Sequence, residues 1–437
     1  MEQQNKTAVY TSIFVLFAGI SAVGLLIPRH DSLPLGLAYS SAFFAYFWIC
    51  QFPPSSTAVL SVGVLLRLLL FLGMPLLSDD VYRFIWDGQL LNEGLSPFEK
   101  LPADIAKSGV YPGGLSAELY QHLNSKEYFT IYPPVNQMLF WFSTWISGNS
   151  WLTAANIMRT VLLSADIGTF LLLRKLLTKL NHNPTLANWY FLNPLLIMEG
   201  VGNLHFEAIV SFFLVLGLLQ WYRTRMGWSG LAIGMAVATK LLPLIYLPGL
   251  LLKSKLKHAI LLTTAISSVI VFSFIILVDP HLIQSITSSL ELYFQKFEFN
   301  ASIYFLLREV GYWLVGYNVI GTLGPSLSII TFFTILLIAI IGKIKSWQMS
   351  TILMWSLTSY LLLATTVHPW YIIPLILLGI LSGYWFPIIW SLFIFVSYFG
   401  YTNTGFELSS GWLVVEYVAV LSILAIEVYK KNHAKNT

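Results

Sequence analysis

The sequence predicts an all-α polytopic membrane protein, a bundle of transmembrane helices with interfacial helices in its external loops. Three observations carry that prediction. Hydrophobic residues make up 57% of the 437 residues and charged ones only 10%, where an ordinary soluble chain has about a quarter charged; the mean hydropathy is +0.73. Apolar runs near the length of a bilayer-crossing helix recur along the chain. Basic and acidic residues fall on alternate connections between those runs instead of mixing.

Taken in order, the runs 9–27, 34–50 and 57–77 read as three spanning helices. The first is followed by Pro28-Arg29-His30 and not by small residues, so no cleavable signal peptide is expected. A polar stretch, 78–150, comes next. Within it the apolar segment from Pro133 to Gly148 reads as a helix lying in the interface, because a full span there would invert the charge pattern that follows. Further spans are expected near 153–173, 185–199, 206–222, 228–241, 243–252, 259–278, 319–342, 350–367, 371–383, 385–400 and 412–429, about 14 in all.

Orientation follows from charge. The clusters Arg174/Lys175/Lys179, Arg223/Arg225, Lys253/Lys255/Lys257, Lys343/Lys345 and Lys430/Lys431/Lys435 contain no acid and are cytoplasmic by the positive-inside rule. With Lys6 on the same side, both termini are expected in the cytoplasm. The acids, from Asp31 and Asp79 through Glu127 to Glu199, Asp279, Glu291, Glu298 and Glu407, fall on the other side. The stretch 78–150 is then one external loop and 279–318 a second, within a single membrane domain, 1–437. The expected location is the cell membrane, inner or plasma, with the functional face external.

The chemistry-bearing residues gather on that face. Ser78-Asp79-Asp80-Val81-Tyr82-Arg83-Phe84-Ile85-Trp86-Asp87-Gly88 places two adjacent carboxylates where an apolar helix meets water. As a helix it puts Asp80, Arg83 and Asp87 on one face and Val81, Phe84, Ile85 and Leu91 on another, suited to the membrane surface. A carboxylate pair there can serve acid–base chemistry on a lipid-borne substrate; it can equally be a helix start, with Ser78 as N-cap and the acids favoured by the helix dipole.

Glu199-Gly200-Val201-Gly202-Asn203-Leu204-His205-Phe206-Glu207 breaks a helix at the same side. Irregular backbone at membrane depth lines cavities, so Glu199, Asn203, His205 and Glu207 are candidates for binding sugar hydroxyls or moving a proton; a plain polar turn is the alternative. Lys240 is a lone cation amid apolar residues at an outer helix end. It calls for an anion such as a lipid phosphate, or else snorkels to headgroups. His368-Pro369-Trp370-Tyr371 ends another outward span, with His368 able to bond a phosphate or hydroxyl and Trp370 and Tyr371 suited to an interface or a sugar-stacking wall; an aromatic belt is the alternative. In the second external stretch, Asn300 and Arg308 are candidates for the substrate and its phosphate. Arg159 and Asp166, at i and i+7 in one span, read as a buried structural pair. The pattern assigns Arg67 no partner.

Some classes are excluded. No nucleotide-binding fingerprint or phosphate-cradling glycine loop is present. No histidine–carboxylate spacing matches a zinc motif, and the single cysteine, Cys50, allows no internal disulfide. The net charge of +4 is too small to argue for nucleic acid. Neither a nucleotide nor a nucleic acid is an expected partner. Two rivals stand beside an enzyme that moves single sugars. A transporter or flippase of a lipid-linked saccharide would place paired broken helices and charges near the midplane, often in related halves, and no internal repeat is visible. A glycan polymerase or ligase would carry an external loop rich in arginine and histidine, and 78–150 is not.

These pieces together resemble a known family. Ser78-Asp79-Asp80-Val81-Tyr82-Arg83 with Trp86-Asp87-Gly88, Tyr132-Pro133-Pro134, Asn193-Pro194 with Glu199-Gly200 and Gly202-Asn203-Leu204-His205, Lys240-Leu241-Leu242-Pro243, Phe299-Asn300-Ala301-Ser302 and His368-Pro369-Trp370-Tyr371 occur in the order seen in GT-C superfamily glycosyltransferases. The chain is most similar to the bacterial polyprenol-phosphate-mannose-dependent mannosyltransferases among them. The resemblance implies an inverting hexosyltransferase, with mannose the expected sugar, a polyprenyl-phosphate donor and an external lipid-linked or glycan acceptor among membrane lipids. It implies an acidic general base in the first external loop, here Asp79 or Asp80, with Asp79 the first choice. It implies a donor-phosphate lysine at Lys240, assisted by His368. No metal cofactor is required by the closest comparison, although some superfamily members use a divalent ion. One departure is that two spans, 9–50, come ahead of the span that leads into the acidic loop, where the superfamily usually carries that loop after its first span.

Overall fold

A computed structural model describes residues 2–275, 284–285, 287–289 and 297–433, with the side chains of 2–5 left out. Asp279 and Glu291 of the expected second external stretch, and Lys435 of the last basic cluster, lie outside the described residues. The structure is 77% helical, and its one small sheet among the described residues is a hairpin pairing Tyr401 with Phe406 and Thr402 with Gly405. This is the all-α architecture of a polytopic membrane protein.

Among the described residues, five helices are long and apolar enough to cross a bilayer: Lys6–Leu26, Ser32–Gln51, Leu256–Ile275, Ile320–Ile344 and Ser410–His433. Pro194–Gly202 and Glu207–Tyr222 make a sixth if counted as one span, bent by 113°. The other apolar runs also form helices, but short ones. Met226–Thr239, with 14 residues, rises only about 21 Å at 1.5 Å per residue, against a hydrocarbon core of about 30 Å. Of the about 14 expected spans, several of them short, five or six are thus long and apolar enough to cross alone among the described residues, and six more apolar helices are shorter. The runs are helical where expected, but several are too short to cross alone. Prolines at the starts of Leu242–Leu252, Pro369–Ser382 and Phe386–Gly400 begin new helices where continuous ones would be longer.

Among the described residues two large apolar cores, and a small third one around Tyr304 and Leu327, organise the molecule. The larger joins the N-terminal helices to those of the C-terminal half through Tyr39, Tyr46, Leu66, Phe191, Leu377 and Trp390. The smaller lies under the 78–150 loop, where Val81, Phe84, Trp86 and Phe140 pack on Met158, Leu162, Val201 and Phe206. Within it the Asp80–Asn92 helix lies against Pro134–Ser147, and Gly88 makes the close approach possible: a Cβ there would run into the Phe140 carbonyl. Pro134–Ser147 buries Asn136, Gln137, Phe140 and Thr144 and leaves Trp141, Phe142 and Trp145 exposed, the amphipathic pattern of an interfacial helix.

The long Trp151–Lys179 helix connects the two ends of the bundle. Its start packs on the acidic loop, with Trp151 edge-on to Tyr82 and His122. Its last turns carry Arg174, Lys175 and Lys179, which line a basic cleft with Arg223. The expected Arg159–Asp166 pair does not form. The two lie about 10 Å apart along the axis, and each finds a nearer partner on another segment. Asp166 pairs with Arg67 at 2.8 Å, both fully buried, and Arg67 also donates to the Gly63 and Phe191 carbonyls. Arg159 donates to the carbonyls of Val201, Gly202 and Gly73, and so ties the broken helix to the chain entering the acidic loop.

Candidate active site

The acidic motif opens a helix, as one reading of it requires, but with Asp79 and not Ser78 at the N-cap position. The Asp80 amide donates to the Ser78 hydroxyl, 3.3 Å, and the helix runs from Asp80 to Asn92. The two carboxylates turn different ways. Asp79 caps nothing; its Oδ2 accepts from Arg29 at 2.6 Å, and the Arg29 guanidinium lies over the Tyr401 ring. Asp80 turns inward, where Oδ1 accepts from Asn124 at 2.7 Å and Oδ2 from the Tyr132 hydroxyl at 3.3 Å. His205 Nε2 stands 3.6 Å from the same Oδ2.

The broken helix presents His205. Asn193 caps it by accepting from the Leu195 and Leu196 amides, with Pro194 at the first helical position. The backbone then widens into a π-helical turn over Ile197–Gly202, and Leu204 takes a left-handed φ of +66°, an uncommon conformation for a branched side chain. Glu199, fully buried, sits behind the histidine, with Oε2 3.0 Å from His205 Nδ1. The other Glu199 oxygen accepts from Tyr398 at 2.6 Å, and Asn203 donates to Oε2 at 3.1 Å. Glu199, His205 and Asp80 thus form a line from the core to the opening.

Burial alone would push the Asp80 carboxyl up. The His205 imidazole and the Asn124 amide outweigh it and hold the group at about 2. Asp80 is therefore ionised throughout the neutral range, with its side chain 21% exposed.

The aromatic residues of the 368–371 motif continue the site. His205 stacks on Trp370 with ring centroids 3.5 Å apart, and Trp370 stacks on His368 at 4.4 Å. Tyr371 lies edge-on to both His368 and Trp370, and the Lys240 ammonium sits over the Tyr371 ring at 4.1 Å. Lys240 also pairs with the buried Glu207. A cation and a carboxylate thus face one aromatic cluster at one end of the bundle. Among the described residues no group of three or more His, Cys, Asp or Glu side chains is arranged to hold a metal ion.

The structure brings together Asp79, Asp80, Glu199, Asn203, His205, Glu207, Lys240, His368, Trp370 and Tyr371. It leaves four of the anticipated residues apart. Arg83 and Asp87 form a buried pair, 2.8 Å; Arg83 also donates to the Ser125 and Tyr128 carbonyls and Asp87 accepts from Gln137, so they brace the loop from within. Asn300 donates to Glu416 at 3.2 Å. Arg308 contacts Glu298, Glu309, Phe305 and Tyr312, all within its own stretch of chain. Sequence reasoning passed over Arg29, Asn124 and Tyr398. Arg29 carried one usable signal, being an arginine on the acidic side of the charge pattern; the other two carried none.

The comparisons with known proteins bear on the same elements. A family model described as alpha-(1->6)-mannopyranosyltransferase, N-terminal domain, matches residues 35–254, half of the chain, and spans the acidic motif, the broken helix and Lys240. No curated protein matches the chain. By that match, laid over a helical membrane bundle, the chain belongs to the alpha-(1->6)-mannopyranosyltransferase family, a GT-C-type family of mannosyltransferases.

Proposed function

We propose that this chain transfers one mannosyl group from a polyprenyl-phosphate donor to a hydroxyl of an external lipid-linked or glycan acceptor, with inversion, at the cluster around Asp80. The observation that carries the reading is the convergence of an ionised carboxylate and an ammonium on one aromatic cluster. The donor breaks its bond between C1 and the phosphate oxygen, and the lipid phosphate leaves with the electron pair. Lys240 faces that growing charge, where a fixed cation stabilises the transition state more than the ground state. His368, beside Tyr371 and Trp370, is close enough to share the phosphate. The acceptor oxygen bonds to C1 from the opposite face and gives its proton to Asp80.

Asp80 suits the role of base better than Asp79, which Arg29 holds at the opening. Its low proton affinity fits a late transfer, once the attacking oxygen has begun to bond and become acidic. His205 and Glu199 fix the carboxylate and spread its charge. Trp370 and Tyr371 offer ring faces and edges to the sugar. The linkage for which the family is named would join C1 to a primary C6 hydroxyl, and a single inversion to the α product needs a β-linked donor. This chemistry uses only the chain's own residues; no metal is assigned a part.

The same geometry supports an external site. The Trp151–Lys179 helix, about 43 Å long at 1.5 Å per residue, has the acidic loop at its start and the basic cleft at its end. By the positive-inside rule the acidic end is external.

The test is purified protein with a synthetic polyprenyl-phosphate mannose and a membrane glycolipid extract. Asp80→Asn should lower turnover by about 10²–10⁴-fold, the usual contribution of a positioned base, with Asp79→Asn losing less. A correctly folded Asp80→Asn that turns over normally would remove the base. Added chelator in the same assay decides whether a divalent ion takes part.

A further inference from the structure

A cavity of about 280 Å³ is walled in part by Phe299, whose ring lies 4.6 Å from that of His368 in the Asp80 cluster. Phe299, Asn300, Arg308, Phe406, Glu407 and Ser410 line it. All of these residues come from beyond the family match, which ends at 254; none of them takes part in the reading of the Asp80 cluster.

Its position ties it to the chemistry. Phe299 stacks on Phe406 at 4.9 Å and lies tilted against His368 at 4.6 Å. His368 stacks on Trp370, and Trp370 on His205. One column of five rings therefore runs from the cavity wall to the partner of Asp80. The column is fastened by backbone as well: the Phe299 amide donates to the Thr365 carbonyl and its carbonyl accepts from Val367, at 3.1 and 2.8 Å.

Its lining indicates what it binds. Two polar atoms there are buried and have no hydrogen-bond partner among the described residues: Arg308 Nε, a donor, and Asn300 Oδ1, an acceptor. Buried polar groups are nearly always paired, so an orphan of each kind at one cavity needs explaining. A hydrocarbon chain would satisfy neither. A phosphate would satisfy only Arg308 and would face Glu298 and Glu407. A hydroxyl both donates and accepts, and neighbouring hydroxyls on a ring could serve both atoms while the ring packs on Phe299 and Phe406. The site is also held in advance. Asn300 adopts a left-handed φ of +46°, its amide donates to the buried Glu416, and the Tyr417 hydroxyl donates to its carbonyl at 2.6 Å. Such preorganisation lowers the cost of binding.

We propose that this cavity holds a sugar unit of the acceptor, recognised through its hydroxyls by Arg308, Asn300 and Glu407, so that the glycan reaches Asp80 along the ring column. At about 280 Å³ it is just below the usual size of ligand pockets, roughly 300–1,000 Å³, and suits a single sugar unit more than a long chain. The proposal rests on the mannosyl-transfer reading for the word acceptor, but its binding chemistry can be tested without it.

The full-length protein in detergent, without donor, is examined by saturation-transfer NMR with α-1,6-mannobiose, free and carrying a lipid tail. Transfer kinetics are measured with the same compounds. Two variants probe the cavity. Arg308→Lys keeps the charge opposite Glu298 and removes the Nε donor. Ser410→Trp fills the cavity from an exposed helix start, where it buries nothing in the core. Saturation transfer to mannobiose should be seen in the wild type and lost in Ser410→Trp. The acceptor KM should rise roughly tenfold in Arg308→Lys, the value of about one hydrogen bond to a charged group, with the donor KM unchanged. Equal behaviour of the free and lipid-tailed compounds supports recognition of the sugar itself. An unchanged acceptor KM in both variants overturns the proposal, as does a rise confined to the donor KM. Mannobiose binding that Ser410→Trp abolishes, in a protein that transfers no mannose, would sink the transfer reading and leave the cavity standing.

Discussion

Lys240 is not a free cation waiting for a phosphate. It is paired with Glu207, which is 3% exposed, and it lies over the Tyr371 ring. Lys240→Ala alone would strand a buried carboxylate, and breaking such a pair from one side costs about 3–5 kcal/mol. That is a large part of a typical total stability of about 5–15 kcal/mol, so lost activity in the single variant would be ambiguous. Lys240→Met combined with Glu207→Gln removes both charges and keeps both volumes, an exchange that is often neutral or stabilising. The double variant should therefore unfold near the wild-type temperature. Its donor affinity should fall all the same, because one charge-assisted bond to the phosphate is lost. At about 1.5–3 kcal/mol for such a bond and about 1.4 kcal/mol per decade, the donor KM rises about 10- to 150-fold. The assay pairs thermal unfolding in detergent with donor titration at saturating acceptor. A double variant with wild-type donor KM and wild-type turnover would refute the phosphate role. A double variant as unstable as Lys240→Ala would show that Glu207 matters to the fold for more than its charge.

Two further outcomes concern the acidic loop. The Asp80 carboxyl is held at about 2 against an ordinary 3.8; a depressed carboxyl stabilises the fold above its unfolded value, and the stabilisation fades as the pH falls through the folded one. Between about pH 4 and pH 2 the wild type should thus lose about 2 kcal/mol more than Asp80→Asn, as thermal unfolding would record. Gly88→Ala should destabilise the protein by about 1–3 kcal/mol, as overpacking does, because the added Cβ meets the Phe140 backbone and the Thr144 hydroxyl; an unchanged melting temperature would mean that the Asp80–Asn92 and Pro134–Ser147 helices can separate freely.

How much of this was legible in the sequence depended on whether a signal was local. Asp79, Asp80, His205, Lys240 and His368 each stood out because a polar group interrupts or ends an apolar run, and charge asymmetry alone put them on one side. Helix identity was equally local, through apolar runs and caps such as Asn193-Pro194. Pairing was not. Arg67 meets Asp166 across 99 residues and Tyr398 meets Glu199 across 199, so nothing in a window of sequence reveals them. The Arg159–Asp166 expectation failed for that reason: seven residues of spacing suggested a pair, while segments far away in sequence supplied nearer partners. The length of each helix was not local either. Hydropathy registers an apolar run but not where a helix bends or restarts inside it.

The two adjacent aspartates show the limit most sharply. Composition, charge and motif treat Asp79 and Asp80 alike, and family likeness put Asp79 first. What separates them is where the helix begins. Asp79 is the residue before the first turn, and its side chain swings out to Arg29 in the connection between the first two long helices. Asp80 is the first helical residue, and the 100° step around the axis turns it toward Asn124, Tyr132 and His205. One residue of register thus divides a carboxylate neutralised by a guanidinium at the opening from one buffered by a buried histidine–glutamate line. The first arrangement suits holding the entrance together; the second suits taking a proton and being restored.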